Sequence, residues 1–343
     1  MNGNVDRKDA RMTSMKRCTV ALLVVLVALA LPVVGAAQKM TTLRVGDQIG
    51  SELDYGPYWI AVEKGYFKEE GLTTVRKTYP NGPATLLDYN KGELDAVMAG
   101  FGPFLQAASQ GSDYVIVSSI TKGNAPLVAR PEIRSAKDLN GKRVGTPGLG
   151  TIHDTMLTLY EREHGIKVEH VSAKITDLVA MLEKSEVQGI LCWETVAATT
   201  VRAVKGAHYL APLPVIPGAE SLEVIISRKI AQSQPEVALG FTRALLKGMR
   251  YIDKHEDDAL RIIARAMNVA DALEVAKLAK AQVKITDPYM EPKSAQIIYQ
   301  ALVETKKITT ERVKSYDDFM QRFVDYSFLK RAEESLKGWE PKR

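Results

Sequence analysis

The run Leu43–Leu72, LRVGDQIGSELDYGPYWIAVEKGYFKEEGL, constrains the fold more than any other stretch, because it reads as strand, open loop, helix and turn. Leu43 and Val45 give a short apolar strand, and the small and polar residues from Gly46 to Gly56 end it. Pro57 suits the first position of a helix, where its fixed φ costs little and its missing N–H would be unpaired anyway. Tyr58, Ala61, Val62, Gly65 and Tyr66 then recur at three- and four-residue spacing as one apolar face, with Glu63, Lys64, Lys68 and Glu69 off it. Gly71 closes the unit, and Leu72–Tyr79 reads as the next strand. Open α/β sheets gather ligands outside the carboxyl ends of their strands, where the first N–H groups of the following helix point outward unpaired. The loop Gln48–Tyr58 is therefore the first candidate wall of a binding site, with Ser51, Asp54, Tyr55 and Tyr58 its candidate contacts. The competing reading is an ordinary strand-to-helix loop, with Tyr58 on the helix core face.

The unit repeats. Asn81-Gly82-Pro83 is a turn into a helix over residues 84–90, and Val97-Met98 is a short buried strand. Ala99-Gly100-Phe101-Gly102-Pro103 leads into a helix from Phe104 to Gln110, and Tyr114–Ile120 is the most β-like run of the chain. Leu43–Ile120 is thus βαβαβαβ, a mostly parallel lobe. Residues 122–126 break the pattern and read as a crossing to a second lobe. There Ser135–Leu139 is a one-turn helix, Gly141–Gly145 leads into a strand, and Thr146-Pro147-Gly148-Leu149-Gly150-Thr151 opens a helix over Ile152–His164. Glycines before a helix start let backbone N–H groups converge on an oxyanion, although the pattern is neither a dinucleotide fingerprint nor a P-loop. Lys91-Gly-Glu-Leu-Asp-Ala and Lys184-Ser-Glu-Val-Gln-Gly form a faint repeat at an offset of 93 residues, which lays Gly100-Phe101 on Trp193-Glu194. Two lobes built alike would present both post-strand loops to a shared cleft. Leu222–Arg228 reads as the return crossing, and helices follow from Pro235 onward, the last over Tyr316–Leu336, their apolar stripes core by default.

Within that cleft, His153 either donates to a bound anion or caps its helix from solvent. Trp193 either stacks on a ligand or is a buried strand-end aromatic. Glu194 either meets a cationic or hydroxyl group of the ligand or pairs with an internal base such as Lys122. Asn81, Gly82, Gly100, Phe101, Gly148, Gly150 and Thr151 complete the candidate contacts. No Ser/His/Asp order, paired-carboxylate motif or metal-ligand spacing stands out, so no catalytic residue, cofactor or metal is expected.

The N-terminus is of another kind. Arg7, Lys8, Arg11, Lys16 and Arg17 precede an apolar run from Val20 to Leu31, and Gly35, Ala36 and Ala37 follow. This is the grammar of a secretory signal peptide over residues 1–36, with an uncleaved anchor as the alternative. Its loss removes five basic and two acidic residues and lowers the formal charge from +5 to +2, which takes away the main support for a nucleic-acid role. Only Cys192 would remain, so an internal disulfide is not expected.

Taken together, PYWIAVEKGYFKEEGL, the GELDA stretch at Gly92–Ala96, SAKDLNGKRVG and Trp193-Glu194 resemble the substrate-binding proteins of ABC importers of the nitrate, sulfonate, taurine and bicarbonate type. The resemblance spans almost the whole chain after the leader. It implies an α/β type II periplasmic binding protein with two mostly parallel lobes, C-terminal helices on lobe one and a ligand closed between the lobes. The expected division is lobe one at residues 41–122 and 227–343 and lobe two at 124–226. The expected function is a periplasmic, monomeric, non-enzymatic receptor that delivers a small organic anion or zwitterion to an ABC permease. The alternatives are a receptor for a pyrimidine or flavin precursor, a partner of a sensor kinase, or an enzyme on the same fold. The chain departs from the family's pattern at Ser185-Glu-Val-Gln-Gly and at Thr195, where the family commonly carries Gly-x-x-Asp-Ala and Pro. The mature chain's single cysteine lacks the Cys cluster of a related thiamine-precursor enzyme.

Overall fold

The computed structural model describes residues 40–210 and 220–342, so the expected leader lies outside the described residues. Two five-stranded mixed sheets carry the fold. The first contains β1 (Thr41–Gln48), β2 (Leu72–Tyr79), β3 (Ala96–Gly100) and β4 (Tyr114–Lys122). The second contains β5 (Leu127–Ala129), β6 (Arg143–Thr146), β7 (Glu169–Ser172), β8 (Gly189–Leu191) and β9 (His208–Tyr209), in the order β7-β6-β8-β5-β9. The last strand, β10 (Glu220–Ser227), returns to the first sheet, whose order is β2-β1-β3-β10-β4. β1 pairs in parallel with both β2 and β3, while β10 runs antiparallel between β3 and β4, with Ile225 opposite Val97 and Ile116.

Three expectations shift here. Leu222–Arg228 is not merely a return crossing: Val224, Ile225 and Ile226 are wholly buried, and a strand apolar on both faces needs neighbours on both edges. Residues 220–226 therefore pair within the first sheet, although they were expected with the second lobe. β1 also continues through Gly46 to Gln48, where a loop was expected. A Cβ on Gly46 would lie 2.5 Å from Thr85 Cγ2, so this glycine serves close packing against the next helix, not a turn. Finally, the expected single helix over Tyr316–Leu336 divides at Val324, which leaves helical geometry to bridge Ile116.

The helices follow the sequence closely. α1 (Gly56–Glu63) and α2 (Tyr66–Glu69) are separated by Gly65 at φ 76°, a left-handed turn that glycine takes at little cost. α3 (Gly82–Asn90) is capped by the Asn81 side chain, which accepts from Ala84 N at 3.0 Å. α4 (Phe101–Gln110) starts three residues earlier than expected, and α5 (Ile152–His164) begins where expected, capped by Thr151. A 3₁₀ turn at Ala136–Leu139 closes with a Ser135–Asp138 capping box. α6 (Ile175–Glu183) and α7 (Val196–Ala203) cover the second sheet. α8 (Arg228–Ser233), α9 (Pro235–Lys254), α10 (Glu256–Ala266), α11 (Ala272–Lys280), α12 (Pro292–Glu304), α13 (Tyr316–Phe323) and α14 (Ser327–Ser335) complete the chain.

One apolar core joins β1 and α1 to α9 and α10. A second runs from Val97, Phe101 and Phe104 through Leu127 and Val144 to Ile152 and Met156, and on to Ile298 and Leu302 of α12. This second core packs the N-terminal turns of α4 and α5 together: a Cβ on Gly102 would touch the Ile152 backbone at 3.5 Å.

Candidate binding cleft

Between the sheets lies a narrow cleft whose cavity measures about 30 Å³, room for about two waters. Its first wall is the carboxyl end of β1. The Gln48 amide donates to Thr85 Oγ1 at 2.9 Å and to Met98 O at 3.0 Å, and accepts from the Tyr55 hydroxyl at 2.5 Å. Ser51 and Asp54 follow on the loop into α1. Gly82 and Gly100, with Pro103, bring in the first turns of α3 and α4, and a Cβ on Gly82 would stand 3.0 Å from Pro103 Cγ. Opposite them, Thr151, Ile152 and His153 start α5, and Trp193 follows β8. Three helix N-termini thus converge, each adding partial positive charge and unpaired N–H groups in its first turn. The 93-residue offset also holds in space: it maps the first residue of β3 on that of β8, and both Gly100 and Trp193 line the cavity.

Asn124, on the buried crossing between β4 and β5, ties the walls together. Its Nδ2 donates to Asp54 Oδ1 at 2.5 Å, its Oδ1 accepts from Glu194 N at 2.7 Å, and its carbonyl is 3.0 Å from His153 Nε2. Burial raises the Asp54 carboxyl from 3.8 to about 8, against the opposing hydrogen bond of Asn124. Burial likewise raises Glu194 to about 7, although the Tyr209 hydroxyl and Ala198 N bond to it at 2.6 and 2.9 Å. His153 is pushed down to about 4 by burial, so it is neutral at pH 7. With its Nε2 hydrogen on the Asn124 carbonyl, it offers an acceptor lone pair at Nδ1. The anion donor expected of His153 is thereby replaced by an acceptor.

Of the residues expected at the site, Ser51, Asp54, Gly82, Gly100, Thr151, His153 and Trp193 line the cavity. Trp193 also bridges the walls, with Nε1 donating to Ile49 O at 3.1 Å, and next to it Thr195 N donates to Gly50 O at 2.9 Å. The other expected residues stand outside the lining. Tyr55 supports Gln48 from behind, Tyr58 bonds to Thr74 Oγ1 within the core, and Phe101 packs edge-on against Phe319. Asn81 and Gly150 bridge the walls nearby, through Asn81 Nδ2 to Pro147 O and Gln106 Nε2 to Gly150 O. Gly148, at φ 124°, shapes the turn whose carbonyl accepts from Thr151. Lys122 bonds to Ser119 Oγ and Asp287 O in another groove, so the suggested Lys122–Glu194 pair does not form. Both Glu194 oxygens are engaged within the second half, leaving Asp54 as the carboxyl on the cavity. Gln48, Pro103, Asn124, Ile152 and Leu222 line the cavity without having been singled out. The signal available for Asn124 was a polar amide inside the crossing, flanked by runs too apolar to be exposed. Among the described residues no group of three or more His, Cys, Asp or Glu side chains is placed to hold a metal ion.

Residues 52–259 match the family described as NMT1/THI5 like. The chain belongs to that family. The taurine-binding periplasmic protein of Escherichia coli is 24% identical over 264 residues, 73% of this chain and 81% of that protein. The alkanesulfonate-binding protein SsuA from Xanthomonas axonopodis pv. citri bound to MOPS superposes with a TM-score of 0.68 at 16% identity, over 84% of this chain and 99% of SsuA. The nitrate-binding protein NrtA from Synechocystis superposes with a TM-score of 0.72 at 13% identity, over 87% of this chain and 90% of NrtA. The NMT1/THI5-like chain therefore has the periplasmic-binding-protein fold, two mixed sheets with flanking helices, as its sequence implies.

Proposed function

We propose that this NMT1/THI5-like chain is an extracytoplasmic solute receptor that captures a small organic anion in the cleft and delivers it to an ABC permease. The single observation that carries the reading is the cavity between the two sheets where the first turns of α3, α4 and α5 converge. Such convergent helix starts suit an oxyanion, and the Trp193 ring offers a flat apolar surface to an organic body. Bare nitrate or bicarbonate would leave that ring idle. The taurine- and sulfonate-binding relatives support the same class of ligand. The two sheets act as two lobes, with residues 122–126 as one crossing. The receptor works as a monomer and performs no chemistry of its own.

A thermal-shift screen against sulfonates, carboxylates, inorganic oxyanions, and pyrimidine and flavin fragments tests this directly. A ligand at about a hundredfold its Kd stabilises the fold by roughly 2.7 kcal/mol. Stabilisation by organic anions is expected; stabilisation by inorganic ions alone would overturn the reading. Capture of a permease, and not a sensor kinase, by the immobilised receptor tests delivery.

A further inference from the structure

We propose that Asp54 meets the bound anion as a carboxylic acid, donating its own hydrogen from Oδ2, so that the cleft holds an anion only with a proton beside it and releases the anion when Asp54 ionises. The inference rests on the reading of the cleft as an organic-anion site and adds how that site is regulated.

Among the described residues no Lys or Arg lines the cavity, and its one carboxyl is Asp54. A carboxylate there would face the anion as a like charge with no cation between them, and a poorly solvated site avoids that by keeping the proton. The neighbours decide which oxygen holds it. Asp54 is 3% exposed, and its Oδ1 accepts from Asn124 Nδ2 at 2.5 Å. Oδ1 is therefore the carbonyl oxygen of the neutral form, and Oδ2 is the hydroxyl. His153 Nδ1, an acceptor on the same lining, has no partner, so the Asp54 hydrogen is not taken up by it.

The groups around Asp54 bring no positive charge to it. Glu52 on its own loop and Glu194 after β8 both favour the proton. Thr121 of β4, Asn124 and the His153 ring are neutral, and the Tyr55 hydroxyl is held by Gln48. Lys122, next to Thr121, bonds instead to Ser119 Oγ and Asp287 O. Burial is the largest influence and raises the carboxyl to about 8, so the acid form prevails at neutral pH and fades above it. Helix starts offer N–H donors at any pH, whereas Asp54 offers a donor that rising pH replaces with a repelling charge.

The test is calorimetry of the purified chain with ethanesulfonate and with propanoate, neither of which titrates between pH 7 and 9. Tris and triethanolamine serve as buffers, since neither carries an oxyanion. With only the acid form binding, affinity is expected to fall about tenfold from pH 7 to pH 9. At pH 8, binding is expected to take up about half a proton, read from the difference in heat between the two buffers. Asp54→Asn keeps the shape and carries an N–H donor that does not ionise, so its ratio of affinities between the two pH values should stay near one. A merely structural role for Asp54 would change affinity alike at both pH values and leave the tenfold ratio in place. Circular dichroism verifies that the variant is folded, and absence of proton uptake by the unaltered chain would overturn the inference without recourse to the variant. Equal affinity at both pH values, or a ratio that persists in Asp54→Asn, would overturn it as well and leave the organic-anion reading intact. Failure of both probes to bind would overturn that reading together with it.

Discussion

Asp54 is held neutral by its surroundings: burial raises its carboxyl from 3.8 to about 8, with the nearby Glu194 and Glu52 charges adding to the rise. Between those values the folded chain keeps a proton that the unfolded chain has released, so the unfolded state binds fewer protons and stability falls as pH rises. Glu194 acts in the same direction from 4.5 to about 7. Urea denaturation across pH 4 to 8 should show this decline, and Asp54→Asn should flatten it. A slope unchanged in the variant would mean that Asp54 ionises normally. Trp193 is the other residue whose role is open to measurement, since it both lines the cavity and donates to Ile49 O at 3.1 Å. Trp193→Ala should weaken ligand binding by about 1 to 3 kcal/mol in calorimetry, with a native circular dichroism spectrum. Unchanged affinity would remove the ring from the site.

At the scale of elements, the cleft depends on helices that approach more closely than side chains allow. α1 carries the Ser51–Asp54 loop and is seated on α9, where a Cβ on Gly248 would lie 2.1 Å from the Pro57 carbonyl oxygen. That contact is with backbone, so no side chain can swing away to relieve it. Gly248→Ala should therefore cost about 1 to 3 kcal/mol or more, the range of overpacking, read from the shift in urea midpoint. A neutral outcome would show that α1 and α9 can part without consequence. α4 and α5 meet less tightly, at ordinary van der Waals distance between Gly102 and Ile152, and this contact sets two helix starts side by side at the cavity.

At the scale of the molecule, polar links tie α5 to segments distant in the chain. Asp154 on α5 accepts from Lys307, which follows α12, and from His170 at 3.2 Å. Burial works against the Asp154 charge, but His170 and Lys307 outweigh it and hold the carboxyl below its usual range. Lys307 is not among the residues that line the cavity, yet its link joins the second sheet's helix to the C-terminal helices. Lys307→Met should cost on the order of 1 to 2 kcal/mol, the worth of a hydrogen bond to a charged group. It should weaken ligand binding by favouring an open arrangement, visible as a larger radius of gyration in solution scattering. Unaltered affinity and scattering would assign Lys307 to local stability alone.

Much of this was written in the sequence because it is local. Pro57, the Asn81 and Thr151 caps and the αL glycines fix where helices begin and end through contacts only a few residues apart. The strand-loop-helix unit and its repeat marked which loops share a cleft, and seven of the named contacts line it. What the sequence did not carry depends on residues distant in the chain. β10 is central and not a crossing because β3 and β4 arrive on either side of it. Tyr55 and Phe101 turn away because Gln48 and Phe319 receive them. His153 accepts instead of donating because Asn124, 29 residues earlier, presents a carbonyl to its Nε2. Local backbone preferences are settled by neighbours in sequence, whereas side-chain direction, tautomer and protonation are settled by neighbours in space.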